Sequence, residues 1–326
     1  MRRRDLLAAF ISASVVARAR RARAEQGLTV IVPDLPGGAA GTEMRILQPY
    51  LEQTLAQPVI LDFRPGAGGI VGLMAGAQAA TDGTALTLLT PAVTLAPWLS
   101  RRMDCTPANF APLGRISFTP VVLIVRADAP YQSIADLLSR RAAREELGAP
   151  APSDWDPSQV AQALFVARAG LSVHAVGGLN TPAERPRALL AGDVDLAFAP
   201  LDGVLDPGVA GQVRILAVSS PARVPRIPEV PSLRDAGLDI AVGGWRALAS
   251  PAGSPRPVIE QLSEALRTVM EGPPLRAELT RAGLAPSWLG PDEVERVLTS
   301  EYRDAGTLFA SLGVSVRKQV LGLEGR

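Results

Sequence analysis

The sequence predicts an α/β chain of two lobes, each a mostly parallel sheet flanked by helices, with two crossover strands as hinge. Three observations carry that reading. From Leu28 onward, short β-rich runs alternate with helical segments, the pattern of strands covered on both faces by helices. Two strands in the first half, Leu28–Val32 and Pro58–Phe63, each run through a glycine-rich loop straight into a helix. The chain is 326 residues long, more than one ordinary core holds and enough for two.

The first lobe is expected to hold strands at Leu28–Val32, Val59–Phe63 and Ala85–Thr90. A helix starting near Thr42 carries Met44, Leu47, Leu51 and Leu55 at helical spacing, with Pro49 inside it to kink or restart it. A second helical segment runs from Ile70 to Ala80. The apolar run Thr119–Val125 begins the crossing to the second lobe. There the pattern gives a helix Ser133–Glu146, a loop rich in Pro, Ala and Asp, and a helix Pro157–Ala169. Strands follow at Leu171–Val176, Val194–Ala199 and Val213–Ser219, and Leu238–Ala249 is the return crossing. Helices opened by Pro255, Pro273 and Pro291 close the chain, proline being suited to a first helical turn. The expected boundaries are residues 25–122 with 243–326 for lobe 1 and 123–242 for lobe 2. Two lobes joined by two crossings make a hinged clamshell.

Residues 1–24 read as an address. Arg3-Arg4-Asp5-Leu6-Leu7 is a twin-arginine start, an apolar run extends from Leu6 to Ala17, and Ala22-Arg23-Ala24 places small residues where a signal peptidase reads. The run is far short of the roughly 20 residues that span a bilayer. Export to the periplasm by the twin-arginine route is expected, with the mature chain starting near Glu25. Of 33 basic and 32 acidic residues, seven and one fall in this leader, which leaves 26 and 31 and a net charge of −5. A mildly acidic body without a Lys/Arg-rich stretch is a poor nucleic-acid binder. Cys105 is the only cysteine, which excludes an internal disulfide and a thiolate metal site.

The paired loops are the chemistry-bearing feature. Pro33-Asp34-Leu35-Pro36-Gly37-Gly38 and Arg64-Pro65-Gly66-Ala67-Gly68-Gly69 each precede a helix, whose first N–H groups have no partner within it. Those donors and the helix dipole together favour an anion. Glycines in such loops also simply permit tight turns and close helix–sheet packing. Two such units side by side suggest one cleft that grips one anionic group.

Catalytic chemistry is not legible. His174 is the only histidine, within the apolar run Leu171–Val176, and no Gly-x-Ser-x-Gly elbow accompanies it. It reads as a satisfied strand residue. No His/Cys cluster has metal spacing. Gly66–Gly72 resembles a dinucleotide fingerprint whose last glycine falls one residue late, and Lys318, the only lysine, is not in a glycine loop. No cofactor is expected.

In order and spacing, the motifs resemble one family. They are Ile31-Val32-Pro33…Pro36-Gly37-Gly38 with Arg45, Arg64-Pro65-Gly66-Ala67-Gly68-Gly69…Gly72, and Ala80-Thr81-Asp82-Gly83. Leu216-Ala217-Val218-Ser219, Pro228–Leu233, Ala236-Gly237, Trp245 and Pro251–Pro255 complete the set. From about Leu28 to Val314 the chain is similar to the solute receptors of tripartite tricarboxylate transporters, the Bug receptors. The resemblance implies a type II-like periplasmic-binding-protein clamshell, and a monomer that captures a small carboxylate or zwitterionic ligand between its lobes. It would then deliver that ligand to membrane transporter subunits. It further implies that one carboxylate sits on Gly37, Gly38, Ala67, Gly68 and Gly69, with Pro36 in the same loop and the hydroxyls of Thr90 and Thr94 after the third strand. The second lobe would read the ligand's other end at a Ser/Gly-rich loop.

This chain departs from that pattern at three places. Asp34 stands where an aromatic is usual. Gly41 stands where the first helix would carry an acid, and Glu43 lies two residues on. The second-lobe loop is Pro152-Ser153-Asp154-Trp155-Asp156-Pro157-Ser158, with Ser158 the hydroxyl left near the helix start. Asp154 or Asp156 is suited to capping that helix. Alternatively, Asp34, Asp154 and Asp156 place negative charge at the cleft and favour a cationic ligand end, with Trp155 packing the ligand body. Two other functions share these features: a ligand sensor feeding a membrane signalling partner, and an exported hydrolase using Asp154 and Asp156.

Overall fold

The computed structural model describes residues 27–143, 146–151, 156–179, 184–206, 208–311 and 313. The expected leader, Asp154 and Trp155 lie outside the described residues. The chain divides into two compact units, one of residues up to Ser117 with Arg246–Asp304, the other of Phe118–Trp245 with Ala305–Gly313. It therefore passes from unit to unit at 117/118, at 245/246 and again at 304/305.

In the first unit, β1 (Leu28–Val32) lies between β2 (Val59–Phe63) and β3 (Ala85–Leu89), parallel to both, with Val30 opposite Leu61 and Leu86. Beyond β3 comes β9 (Gly243–Pro251), antiparallel to it with Leu88 opposite Leu248, then β4 (Phe110–Arg126) and β10 (Pro286–Leu289). The sheet is thus mixed rather than mostly parallel, because strands that carry the chain out and back run in opposite directions.

Four helices of this unit are α1 (Ala39–Leu55), α2 (Ile70–Ala77), α7 (Arg256–Glu271) and α8 (Pro273–Arg281). Met44, Leu47 and Leu51 of α1 join Leu266 and Met270 of α7 and Leu275 of α8 over Val30, Leu86, Leu88 and Leu248. Each such buried side chain contributes about 1.5–3 kcal/mol. This stripe holds α1 to the sheet, and the helix runs unbroken past Pro49, which sits exposed on its outer side. The helix does not restart there: Met44 and Leu47 before Pro49 and Leu51 after it keep one buried stripe on the sheet.

In the second unit, β4 continues between β7 (Ala197–Pro200) and β8 (Val213–Ser219), antiparallel to both, with Leu123 opposite Phe198 and Ala217. β5 (Glu146–Pro150) and β6 (Ser172–Val176) form a parallel pair, and Gly148 O accepts from Asp195 N at 2.8 Å just before β7. The helix expected to reach Glu146 is α4 (Ile134–Ala143), and β5 takes up the chain at Glu146. Leu147 and Ala149 are buried there beside Phe165 and Phe198, so core packing outweighs the helical preference of the Ala/Arg run before them. Phe165 belongs to α5 (Pro157–Ala169), and its ring lies 5.5 Å from that of Phe198. The remaining longer helices are α3 (Ala92–Leu99) after β3, α6 (Glu184–Ala191) before β7 and α9 (Pro291–Ser311) at the end, and a single helical turn, Leu201–Val204, follows β7.

Candidate ligand-binding site

Three parallel strands bring three loops to one edge of the first unit. The carboxyl ends of β1, β2 and β3 are neighbours, with Val32 opposite Phe63 and Ile31 opposite Thr87. The loops after them, 33–38, 64–69 and 90–91, therefore open side by side, where ligands bind in open α/β sheets.

The first two loops are pressed together. A side chain at Gly72 on α2 would put its Cβ 2.7 Å from Pro33 Cα and 2.9 Å from Arg64 O, and one at Gly69 would meet Pro33 O at 3.3 Å. Gly41 has the same role inside the first loop, since a Cβ there would lie 2.6 Å from Pro36 O. The acid expected at this position has no room, and the loop folds back over the glycine instead.

The second loop winds left-handed, with φ of +133° at Gly66, +49° at Ala67, +66° at Gly68 and +96° at Gly69. Three of these four positions are glycines, which enter this region without steric cost. Gly69 N donates to Gly66 O (3.0 Å) and Ile70 N to Ala67 O, whereas the N–H groups of Gly37, Ala67 and Gly68 have no protein acceptor among the described residues. Successive donors of this kind form an anion-binding concavity. Gly37, Ala67 and Gly68 are also exposed. The neighbouring cation does not reach in: Arg64 Nε donates to both carboxylate oxygens of Asp62 at 3.0 and 2.9 Å. The groups of these two loops that face outward without an acceptor among the described residues are backbone donors.

Asp34 is half-buried, its Oδ1 accepting from Leu35 N at 2.7 Å while the rest of its carboxylate lies against Gly38. Its charge sits at the start of α1, beside the loop donors. Pro36 and Leu35 are exposed at the loop tip, Leu35 by 61%. Thr90 is half-buried on the same edge. Thr94 is wholly buried within α3, its hydroxyl donating to Pro91 O at 2.8 Å and lying 3.4 Å from Glu301 Oε2. It is not brought to the open side with the others.

Glu43 was not singled out for its surroundings by sequence reasoning, yet it is fully buried. Its Oε2 accepts from Arg246 Nη1 at 2.8 Å and from Ser117 Oγ at 3.1 Å. Burial pushes the carboxyl above its ordinary value, against the opposing pull of Arg246 and Ser117.

In the second unit, Asp156 caps α5, accepting from Ser158 N at 2.7 Å and Gln159 N at 3.2 Å. Its two oxygens also accept from Nη1 and Nη2 of Arg185, at 3.0 and 2.5 Å. The Arg185 side chain is only 1% exposed. The negative charge expected from Asp156 is thus matched by a buried guanidinium and spent on a cap. The carboxylate also occupies two first-turn donors of α5, Ser158 N and Gln159 N. Ser158 itself is buried. Arg185 escaped the sequence reading because the pairing joins residues 29 positions apart, with no local pattern to mark it. His174 lies on β6 as expected, and is exposed. Among the described residues no group of three or more His, Cys, Asp or Glu could hold a metal ion, and no helix is long and apolar enough to cross a membrane.

The model of the tripartite tricarboxylate transporter family receptors matches residues 44–314, most of the chain. The chain belongs to this family. One relative, a UPF0065 protein encoded in the tcbD–tcbE intergenic region of Pseudomonas sp. strain P51, is 29% identical over 312 residues, covering 92% of this chain and 91% of its own. Protein BugT of Bordetella pertussis is 27% identical over 297 residues, covering 89% and 90%. Among solved structures, a TctC solute-binding protein from Polaromonas superposes with a TM-score of 0.81 at 23% identity, over 87% of this chain and 98% of that one. Rpa4515 of R. palustris, solved with adipate, superposes at 0.68 with 24% identity, over 89% and 98%. The fold is that of the α/β periplasmic binding proteins, and the family and fold are those of solute-binding receptors.

Proposed function

We propose that this family member is an exported receptor that holds one carboxylate of a small dicarboxylate or zwitterionic solute on the N–H groups of Gly37, Ala67 and Gly68. It passes that solute to the membrane subunits of a tripartite tricarboxylate-type transporter. The observation that carries the reading is the convergence of two glycine loops, pressed together through Gly72 and Pro33, with exposed donors that no protein group among the described residues uses. Family membership supports the receptor role, and the adipate in Rpa4515 supports a carboxylate as the ligand class. The twin-arginine start at Arg3-Arg4 supports export to the periplasm. Asp34 beside the donors disfavours a second negative charge close to the first, so the preferred ligand keeps its other end distant, neutral or cationic.

A thermal-shift screen of the chain from Glu25 against di- and tricarboxylates, aromatic acids, amino acids and polyamines tests this. A true ligand at 100 times its dissociation constant adds about 2.7 kcal/mol of stability. The expected hits are extended dicarboxylates such as adipate, or amino acids. Shifts with polyamines and none with any carboxylate would overturn the reading.

A further inference from the structure

Ser117 is the residue at which the chain leaves the first unit along β4, and Arg246 is the residue at which it returns along β9. Both donate to one oxygen of the same carboxylate, Glu43 Oε2. Glu43 lies in α1, the helix that starts directly after Gly37 and Gly38. One fully buried side chain therefore fastens the helix of the carboxylate loop to both crossing strands at the points where they meet the unit. Arg246 keeps 22% of its side chain exposed, against 1% for Glu43. The second oxygen, Oε1, is buried with no hydrogen-bond partner. A buried carboxylate used on one oxygen is an expensive way to pack a helix, since an apolar side chain of similar size would fill the space at lower cost. A contact of this cost suits a switch better than a filler.

We propose that Glu43, Ser117 and Arg246 form a latch that carries the state of the Gly37–Gly38 loop to both crossing strands. This rests on the reading of that loop as the carboxylate site. A ligand that orders the start of α1 also orders residues 113–119 and 244–249 through Glu43. By reciprocity, loosening those strands weakens ligand binding.

Hydrogen exchange of the mature chain, wild type against Glu43→Gln, tests the latch. Gln keeps the shape and removes the charge that both donors use. In the ligand-free protein, exchange is expected to rise about tenfold in α1 and in both strand segments together, the scale of losing charge-assisted hydrogen bonds. The β5–β6 pair of the other unit serves as the unchanged control. In the wild type, adipate is expected to slow exchange in both strand segments, and in Glu43→Gln to slow it at the loop alone. Faster exchange confined to α1, or none, would overturn the latch. Should Glu43→Gln not fold, Ser117→Ala removes one donor while keeping the Glu43–Arg246 pair, and is expected to release the β4 segment and spare β9. Failure of adipate to bind the wild type would count against the carboxylate reading, while the ligand-free comparison still decides whether the three segments are tied.

Discussion

Asp156→Ala is expected to destabilise the protein by about 3–5 kcal/mol, the cost of leaving one partner of a buried ion pair without the other. Arg185, whose side chain is 1% exposed, donates through Nη1 and Nη2 to the two oxygens of Asp156 and loses both bonds in this variant. Loss of the α5 cap adds a second cost of about 1 kcal/mol on its own, though the two are not additive because one carboxylate serves both. Asp156→Asn separates them. It retains a side-chain oxygen for Ser158 N but not the charge, so it should remain nearly as destabilised as the alanine variant. The double variant Asp156→Asn with Arg185→Met removes both charges of the pair and should regain part of the loss. Urea unfolding measures all three. A full rescue by Asn alone would show that the cap, not the ion pair, carries the energy.

Gly72→Ala is expected to weaken carboxylate binding more than tenfold with a modest loss of stability. The added Cβ meets backbone on two sides, Pro33 Cα at 2.7 Å and Arg64 O at 2.9 Å, so both loops must shift to admit it. Overpacking of this kind costs about 1–3 kcal/mol, and replacing a mid-helix glycine by alanine returns about 0.5–1 kcal/mol. The net effect on stability is therefore small, on the order of 1 kcal/mol. Binding suffers more because the donors of Gly37, Ala67 and Gly68 act only when correctly placed relative to one another. Gly76→Ala, one turn along the same helix, meets the side chain of buried Thr87 rather than either loop. It should lower the melting temperature more than Gly72→Ala does, and shift the dissociation constant less. Titration calorimetry with adipate, beside melting curves, distinguishes the two.

Much of the fold was legible because its signals are local. Proline openings at Pro157, Pro273 and Pro291 coincide with the starts of α5, α8 and α9, where a residue without an N–H costs nothing. The glycine loops were legible for the same reason: a chain that turns left-handed through Gly66, Gly68 and Gly69 needs residues without a Cβ. Elements set by distant packing were not. β5 follows a helix-favouring run and is a strand because Leu147 and Ala149 complete a core built by α5 and β7. α6 escaped notice because Pro186 and the arginines around it obscure any apolar stripe, although Ala188 and Leu189 are buried. At the candidate site, Gly37, Ala67 and Gly68 were legible as donors. Thr94 was not legible in this way, because its hydroxyl turns back on Pro91 O within its own helix. The charges of Asp156 and Glu43 were visible, but their partners Arg185 and Arg246 come from far along the chain, so sequence proximity could not show that each acid is already matched.

The most direct test of the central claim is an amide NMR titration of the 15N-labelled mature chain with adipate. Carboxylate oxygens seated on backbone donors move the amide signals they touch, so the N–H resonances of Gly37, Ala67 and Gly68 should shift first and furthest. Saturable binding that leaves those three signals in place, with the shifts confined to other residues, would contradict the assignment of the carboxylate site to the paired glycine loops.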